Sequence, residues 1–591
     1  MLDPRLYRLA WLPALLAILI LAFSLGTRPR PIRTTLSPDG FNVARATALL
    51  DRMAERYPSR RPGSPGDREL ARFVGAELRK ALGGDVSEQR LQARTIDGER
   101  ELVNVVATRV GRPGPSIVVV AHRDAAGRGA RAELSGTAAM LELARVAGAG
   151  RLQRTVTFIS TSGGSGGFAG ARAAAQRLER PVDAVIVLGD VGAQDRRRPL
   201  VTGLSDGLGQ APFQLVRTAQ AAIQSELGSW PGGQRALVQA LRMAVPMTGG
   251  EQGAFLRAGL PAILISGTGE HPPSPAAAVS ADALGALGRG ALRTLYALDN
   301  GPDISAQGPT GAMILRGKVV PAWVLRLLAL TLLLPALVVC IDAIARLLRR
   351  REPVLRRLGW ALTPALVIAL CCLVVVALAA AGLVVAPPGP IGGELLRLGA
   401  GAIAAIVVLV VVAVLTWLLV RPLLVRALGL DPKRRPDDPA AGVAAATVLV
   451  LAALLLAALN PYAALVVVPA VHLGLWAAAP ETGMHRVTAV LFLLAGLVLP
   501  LLVLVSGASA FGLSAVEVPW FWTLLVAGGQ QPWWAWLVWS LFWGGWLSAA
   551  IVALRRSPDP GAPEQITVRG PSTYAGPGSL GGTESTIRVR R

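Results

Sequence analysis

Two histidines and a few acids stand where an enzyme would keep its reacting groups. "SIVVVAHRD" (116–124) is a run of β-branched residues that ends in His122-x-Asp124. A His-x-Asp pair at the lip of a strand supplies an imidazole ligand and a carboxylate to orient it, which is how a metal site begins. "VLGDVG" (187–192) ends another apolar run at Asp190. Later, "GGEQGAFLRAGLPAILIS" (249–266) carries Glu251, and "GTGEHPPSP" (267–275) carries Glu270 and His271. His122 and His271 are the only histidines before residue 316, and both follow apolar runs. A third run, "TVTFIST", ends in "SGGSGG" (162–167), which offers no carboxylate but sets Ser165 in a Gly-x-Ser-x-Gly pattern.

These groups need a scaffold that brings strand ends together. "NVARATALLDRMAERY" and "DRELARFVGAELRKAL" repeat apolar residues at helical spacing. "LVNVVATRV", "SIVVVAH", "TVTFIST" and "DAVIVLGDV" read as strands buried on both faces, with helical patterns at 133–147, 167–178, 212–226 and 281–298. Such alternation predicts an α/β three-layer sandwich with a mostly parallel mixed sheet, and ligands at the carboxyl ends of its strands.

Residues 316–555 are of another kind, dominated by Leu, Val and Ala. An apolar run at 9–25 reads as an uncleaved anchor helix, and seven more spans fall near 319–345, 359–385, 395–420, 440–459, 462–479, 487–507 and 532–554. Each is about the 20 residues a helix needs to cross a bilayer. The expected layout is an anchor (1–33), an α/β domain (34–315), an all-α multi-span transmembrane bundle (316–555) and a disordered cytoplasmic tail (556–591). The net charge of +22 does not point to nucleic acid, because no basic stripe is interleaved with aromatics. Arginines cluster beside the spans, at 346–357, 431–438 and 554–560, the pattern of cytoplasmic loops. Alternating eight spans from a cytoplasmic N-terminus puts those segments inside and leaves 386–394, 459–462, 507–519 and the α/β domain extracytoplasmic. The expected location is the plasma membrane. "WFWTLLVAGGQQPWWAW" (520–536) suits an interfacial segment. Cys340, Cys371 and Cys372 lie in the spans, so the α/β domain has no disulfide. His472 is expected to hydrogen-bond a neighbouring helix, and Asp342 to pair with nearby arginine.

The blocks "RPGSPGDRELARFVGAELRKALGGDVSEQRL", "VVVAHRD…ELSGTAAMLELAR", "RTVTFISTSGGSGGFAGARA" and "GAFLRAGLPAILISGTGEHPPSP" resemble, in order, the zinc aminopeptidase family M-28 over about residues 40–300. The resemblance implies the zinc-exopeptidase fold and a two-zinc site. It sets the family's first His ligand on His122, its orienting Asp on Asp124, a later Asp ligand on Asp190 and the last His ligand on His271. The bridging Asp falls on Ala132, beside Glu133. The general-base Glu and its neighbour fall on Gly164 and Ser165. Glu251 falls near the family's substrate pocket, although a solvated loop acid is the plainer reading. Two close cations repel unless a carboxylate is shared between them. The ligands left are His122, Asp190 and His271, with Glu133 beside them, enough for one zinc ion at most.

The sequence therefore predicts a membrane-anchored, peptidase-like protein that has lost its catalytic set and acts in peptide or protein binding or in a membrane complex. Its layout is similar to the GAA-type subunit of GPI transamidase. Two alternatives stand beside it. One is an active extracytoplasmic metallo-aminopeptidase with a non-standard metal site. The other is a serine hydrolase on Ser165, Asp190 and His271, with Gly and Ser simply filling a turn as the plain reading of that loop.

Overall fold

The structure, a computed structural model, describes residues 3–150, 152–194, 200–233, 235–270, 276–304, 308–387, 389–392, 396, 399–430, 439–479 and 482–555. His271, the Arg-rich segment 431–438 and the tail from 556 lie outside the described residues. The strands are β1 (Gly26–Thr27), β2 (Val86–Thr95), β3 (Gly98–Arg109), β4 (Arg112–His122), β5 (Arg154–Thr161), β6 (Val182–Leu188), β7 (Val201–Thr202), β8 (Ala262–Ile265), β9 (Met313–Leu315) and β10 (Lys318–Val320). The helices up to residue 300 are α1 (Pro4–Leu9), α2 (Leu12–Phe23), α3 (Val43–Arg56), α4 (Pro65–Leu82), α5 (Ser135–Ala149), α6 (Ala169–Arg177), α7 (Phe213–Leu227), α8 (Ala236–Ala244), α9 (Gln252–Arg257) and α10 (Ala281–Asn300).

β2 to β8 form one sheet in the order β2-β3-β5-β4-β6-β8-β7. The centre, β5-β4-β6-β8, is parallel, and β2, β3 and β7 run antiparallel at the edges. The unbroken β-branched runs follow from burial on both faces. Ile117 and Val119 of β4 pack with α3, α4, α5, α7 and α10, whereas Val118 and Val120 pack with α6 and α9. Each such Val or Ile, at 0 % exposure, contributes about 1.5–3 kcal/mol. This is the expected three-layer sandwich. Gly136 of α5 lets that helix sit against β6, since a Cβ there would come within 2.3 Å of the Gly189 carbonyl oxygen.

The second half is helical: α11 (Ala322–Arg349), α12 (Val354–Ala380), α13 (Ala400–Leu415), α14 (Arg421–Ala427), α15 (Pro439–Leu459), α16 (Pro461–Ala478), α17 (Arg486–Gly496), α18 (Val498–Ala510), α19 (Val518–Ala527) and α20 (Trp533–Leu554). Among the described residues, eight helical stretches are long and apolar enough to cross a membrane, at the positions read from sequence. α15, α16 and α20 form the centre around Leu449, Val467 and Phe542. α13 turns Val407, Val410 and nearby residues outward, more than half exposed, a surface suited to acyl chains. His472 takes the expected interhelical role, with one ring nitrogen 2.9 Å from the Tyr7 hydroxyl and the other 2.8 Å from the Leu332 carbonyl oxygen. Asp342 pairs with Arg346 at 2.7 Å.

The two halves meet at one end of the bundle, where α8 packs its apolar face on α16 and α18 and polar contacts surround it. Asn460 caps α16 and donates to the Met243 and Ala244 carbonyls at 2.8 and 3.1 Å. Tyr462 donates to the Gly311 carbonyl and Gln531 to that of Pro246. β1, β9 and β10 form a small antiparallel sheet joining the segment after α2 to the start of α11.

Candidate functional site

Parallel strands end on the same side, so the candidate groups converge. His122 is the last residue of β4 and lies in register with Thr161 at the end of β5. Asp190 follows β6, while Ser266 and Thr268 follow β8. Glu133 lies in the 3-10 turn Ala132–Leu134 that leads into α5. His122, Glu133, Ser165, Asp190 and Glu251 line one cavity of about 80 Å³. Gly164, Gly166, Gly189, Gly249 and Gly250 complete much of the wall, and the membrane half adds Pro390, Ile391, Gly392 and Phe511.

The carboxylates are differently engaged. Asp124 accepts from the Gly164 and Ser165 backbone N–H groups at 2.9 and 3.0 Å, one on each oxygen. Asp190 accepts the Ser266 hydroxyl on one oxygen and the Thr268 hydroxyl on the other. Glu251 is not the solvated acid of the plainer reading. It is 2 % exposed at the start of α9 and takes the Thr161 hydroxyl at 2.5 Å on Oε1, while its Oε2 is buried without a partner. Glu133 likewise has a sequestered, unpartnered Oε2. Glu270 points elsewhere, pairing with Arg242 at 3.2 Å and accepting from Thr248 and Gln252.

Burial dominates the electrostatics. It pushes the Glu251 carboxyl up to about 7 against the opposing pull of His122 and of the Thr161 hydroxyl. Glu133 also rises to about 7 by burial, offset by His122 and Arg60. Asp190 is raised by burial despite its two hydroxyl donors. Burial disfavours the His122 imidazolium, but Glu251, Asp124, Glu133 and Asp190 together outweigh it and raise its pKa.

Sequence reasoning missed the support behind this cavity. Arg123, between His122 and Asp124, is fully buried and pairs with Asp67 at 2.9 Å. It donates to the Ser160 carbonyl at 3.1 Å and to the Val103 carbonyl. Ser162 donates to Asp67, and buried Arg60 donates to the Arg123 and Ala130 carbonyls. Nothing in "HRD" separates a buried arginine from an exposed one, since the distinction rests on Asp67, far away in the chain.

A two-zinc set does not fit these side chains. Among the described residues, no group of three or more His, Cys, Asp and Glu is placed to hold an ion. A Cβ at position 164 would lie 2.6 Å from His122 Cβ, so a glutamate there has no room. The serine loop also departs from a nucleophile elbow, in which the serine itself sits on the strained turn. Here the left-handed residues are Gly163, Gly166, Gly167 and Phe168, and α6 begins at Ala169.

Residues 104–272, from within β3 to beyond β8, match the family model Peptidase family M28. Solved structures similar to this chain include a glutaminyl cyclase of Porphyromonas gingivalis, at 20 % identity, covering 44 % of this chain and 98 % of that one, with a TM-score of 0.33. BSAP, a zinc aminopeptidase from Bacillus subtilis, is 12 % identical over 45 % of this chain and 97 % of its own, with a TM-score of 0.37. LapB from Legionella pneumophila is 18 % identical over 48 % and 80 %, with a TM-score of 0.38. No curated protein matches the chain.

Proposed function

We propose that this is a membrane-embedded, peptidase-like protein whose α/β domain binds or assembles rather than hydrolyses. The observation that carries this reading is the engagement of two aspartates together with the crowding at position 164. All four oxygens of Asp124 and Asp190 accept hydrogen bonds from the protein, and the position of the family's general base has room only for glycine. A metal-bound water would find no base there. The segment around Ile391 adds to this by walling the cavity from the membrane side. The domain holds one zinc ion at most, on ligands drawn from His122, Glu133, Asp190 and His271. Glu251 lines the same cavity. The occupant of the domain is a peptide or protein, including a partner in a membrane complex.

In this reading the α/β domain is extracytoplasmic at the plasma membrane, and the N-terminus and the tail are cytoplasmic. Support comes from the three loops assigned outside by charge. Ile391, Asn460 and Phe511, one from each, all contact the α/β domain or its cavity.

Metal analysis of the purified full chain, with an assay for release of N-terminal residues, tests the proposal. No more than one zinc and no chelator-sensitive release are expected. Two zinc ions with chelator-sensitive release would overturn it in favour of the metallo-aminopeptidase. Labelling by a fluorophosphonate that disappears in Ser165→Ala would overturn it in favour of the serine hydrolase.

A further inference from the structure

A second cavity, larger than the one at the strand ends, lies at the junction of the two halves. It measures about 1090 Å³, at the top of the ~300–1,000 Å³ range of small-molecule sites. Its apolar wall is built from Leu456 of α15, Val466 of α16, Val503 of α18 and Trp539 and Trp543 of α20. Its rim near the α/β domain is polar, with Asp206, Arg257, Asn460 and Gln530. The space lies beside the bend at Leu497, where α17, packed on α16 and α20, passes into α18, packed on α8 and α16. α15, α18 and α20 then surround a space at the end of the bundle where Asn460 meets the α/β domain.

Two polar groups stand in this wall. Gln530 is 7 % exposed and lines the cavity. The Trp522 indole N–H is buried without a partner. An unsatisfied buried donor such as the Trp522 N–H is costly, and a ligand carrying an acceptor oxygen would satisfy it. An apolar chamber within the depth of the spans, with a polar, arginine-bearing mouth at their end, matches the two ends of a membrane lipid.

We propose that this cavity seats one diacyl phospholipid from the leaflet facing the α/β domain. Its acyl chains lie among Val466, Val503, Trp539 and Trp543, and its phosphate lies at the rim beside Arg257 and Gln530. Arg257 pairs with Asp206 and is half-exposed, which leaves guanidinium surface for the phosphate. The site is separate from the cavity of His122 and depends only on the bundle lying in a bilayer.

The test reconstitutes the full chain in vesicles of phosphatidylethanolamine and phosphatidylglycerol with dibrominated stearoyl chains, re-extracts it in detergent and weighs it by native mass spectrometry. One brominated phospholipid retained per chain is expected. Leu504→Trp, on the cavity wall, should lower that retention about tenfold. Val410→Trp, on the outward face of α13, should not. Should Leu504→Trp fail to fold, Ala535→Trp fills the same chamber from α20. Equal retention in wild type and a folded wall variant, equal loss in Val410→Trp, or retention of detergent or a polypeptide instead of lipid would each overturn the proposal.

Discussion

The cavity at the strand ends measures about 80 Å³ and is walled by an imidazole and three carboxyl groups, whereas the junction cavity measures about 1090 Å³ and is walled by Val, Leu and Trp. The first is made of charges that need partners, and every partner arrives from elsewhere in the chain: Asp124 from the 164–165 backbone, Asp190 from Ser266 and Thr268, Glu251 from Thr161. The second is made of apolar faces that need only proximity, brought together by α15, α16, α18 and α20. A polar site is therefore sensitive to single residues, while an apolar one is sensitive to helix placement.

Breaking the polar side gives the largest effect. Arg123→Met leaves Asp67 buried and unpaired, at a cost of about 3–5 kcal/mol. Chemical denaturation of the full chain should show it, and an unchanged midpoint would mean that the buried pair does not support the strand ends. Next comes pH, measured in chelated buffer. Glu133 and Glu251 have folded pKa values near 7, above the ordinary 4.5, so the folded state binds more protons between those values. Stability must then fall as pH rises from about 4.5 to 7, by up to about 3 kcal/mol for Glu251. His122, also raised, adds stability below its ordinary 6.5 that is lost as pH climbs through its folded value. The double variant Glu133→Gln, Glu251→Gln should flatten the melting-temperature profile. A wild-type profile that rises over this range would contradict these directions.

A smaller effect sharpens the comparison at position 164. Gly164→Glu should cost about 1–3 kcal/mol by overpacking against His122, without release of N-terminal residues. Recovery of chelator-sensitive release would show that the site needs only its carboxylate back. The smallest effect lies at the rim of the junction cavity. Asn460→Ala removes the cap of α16 and two hydrogen bonds to the α/β domain, a loss of about 1 kcal/mol. Hydrogen exchange at 243–245 should rise, and no change there would place the docking energy in apolar contacts alone.

Much of the architecture was legible beforehand. The helical pattern at 281–298 is α10, and that at 212–226 is α7 within a residue. "SIVVVAH" is the buried part of β4, and the eight spans lie where apolar length put them. The candidate site was legible as a set of residues but not as a state. Glu251 looked solvated in "GGEQG" and is buried, because α9 tucks its first turn under the end of β5. Arg60, Asp67 and Arg123 gave no sign of forming one buried network.

The sequence by itself determined the alternation of strands and helices, the spans and the convergence of His122, Asp124 and Asp190 on one edge. These follow from periodicity, run length and strand direction, which are local properties. Only the tertiary structure decided which carboxylate oxygens are engaged, that position 164 has no room beside His122, and that the membrane half walls the cavity. Those depend on contacts between residues tens to hundreds of positions apart, which no local pattern encodes.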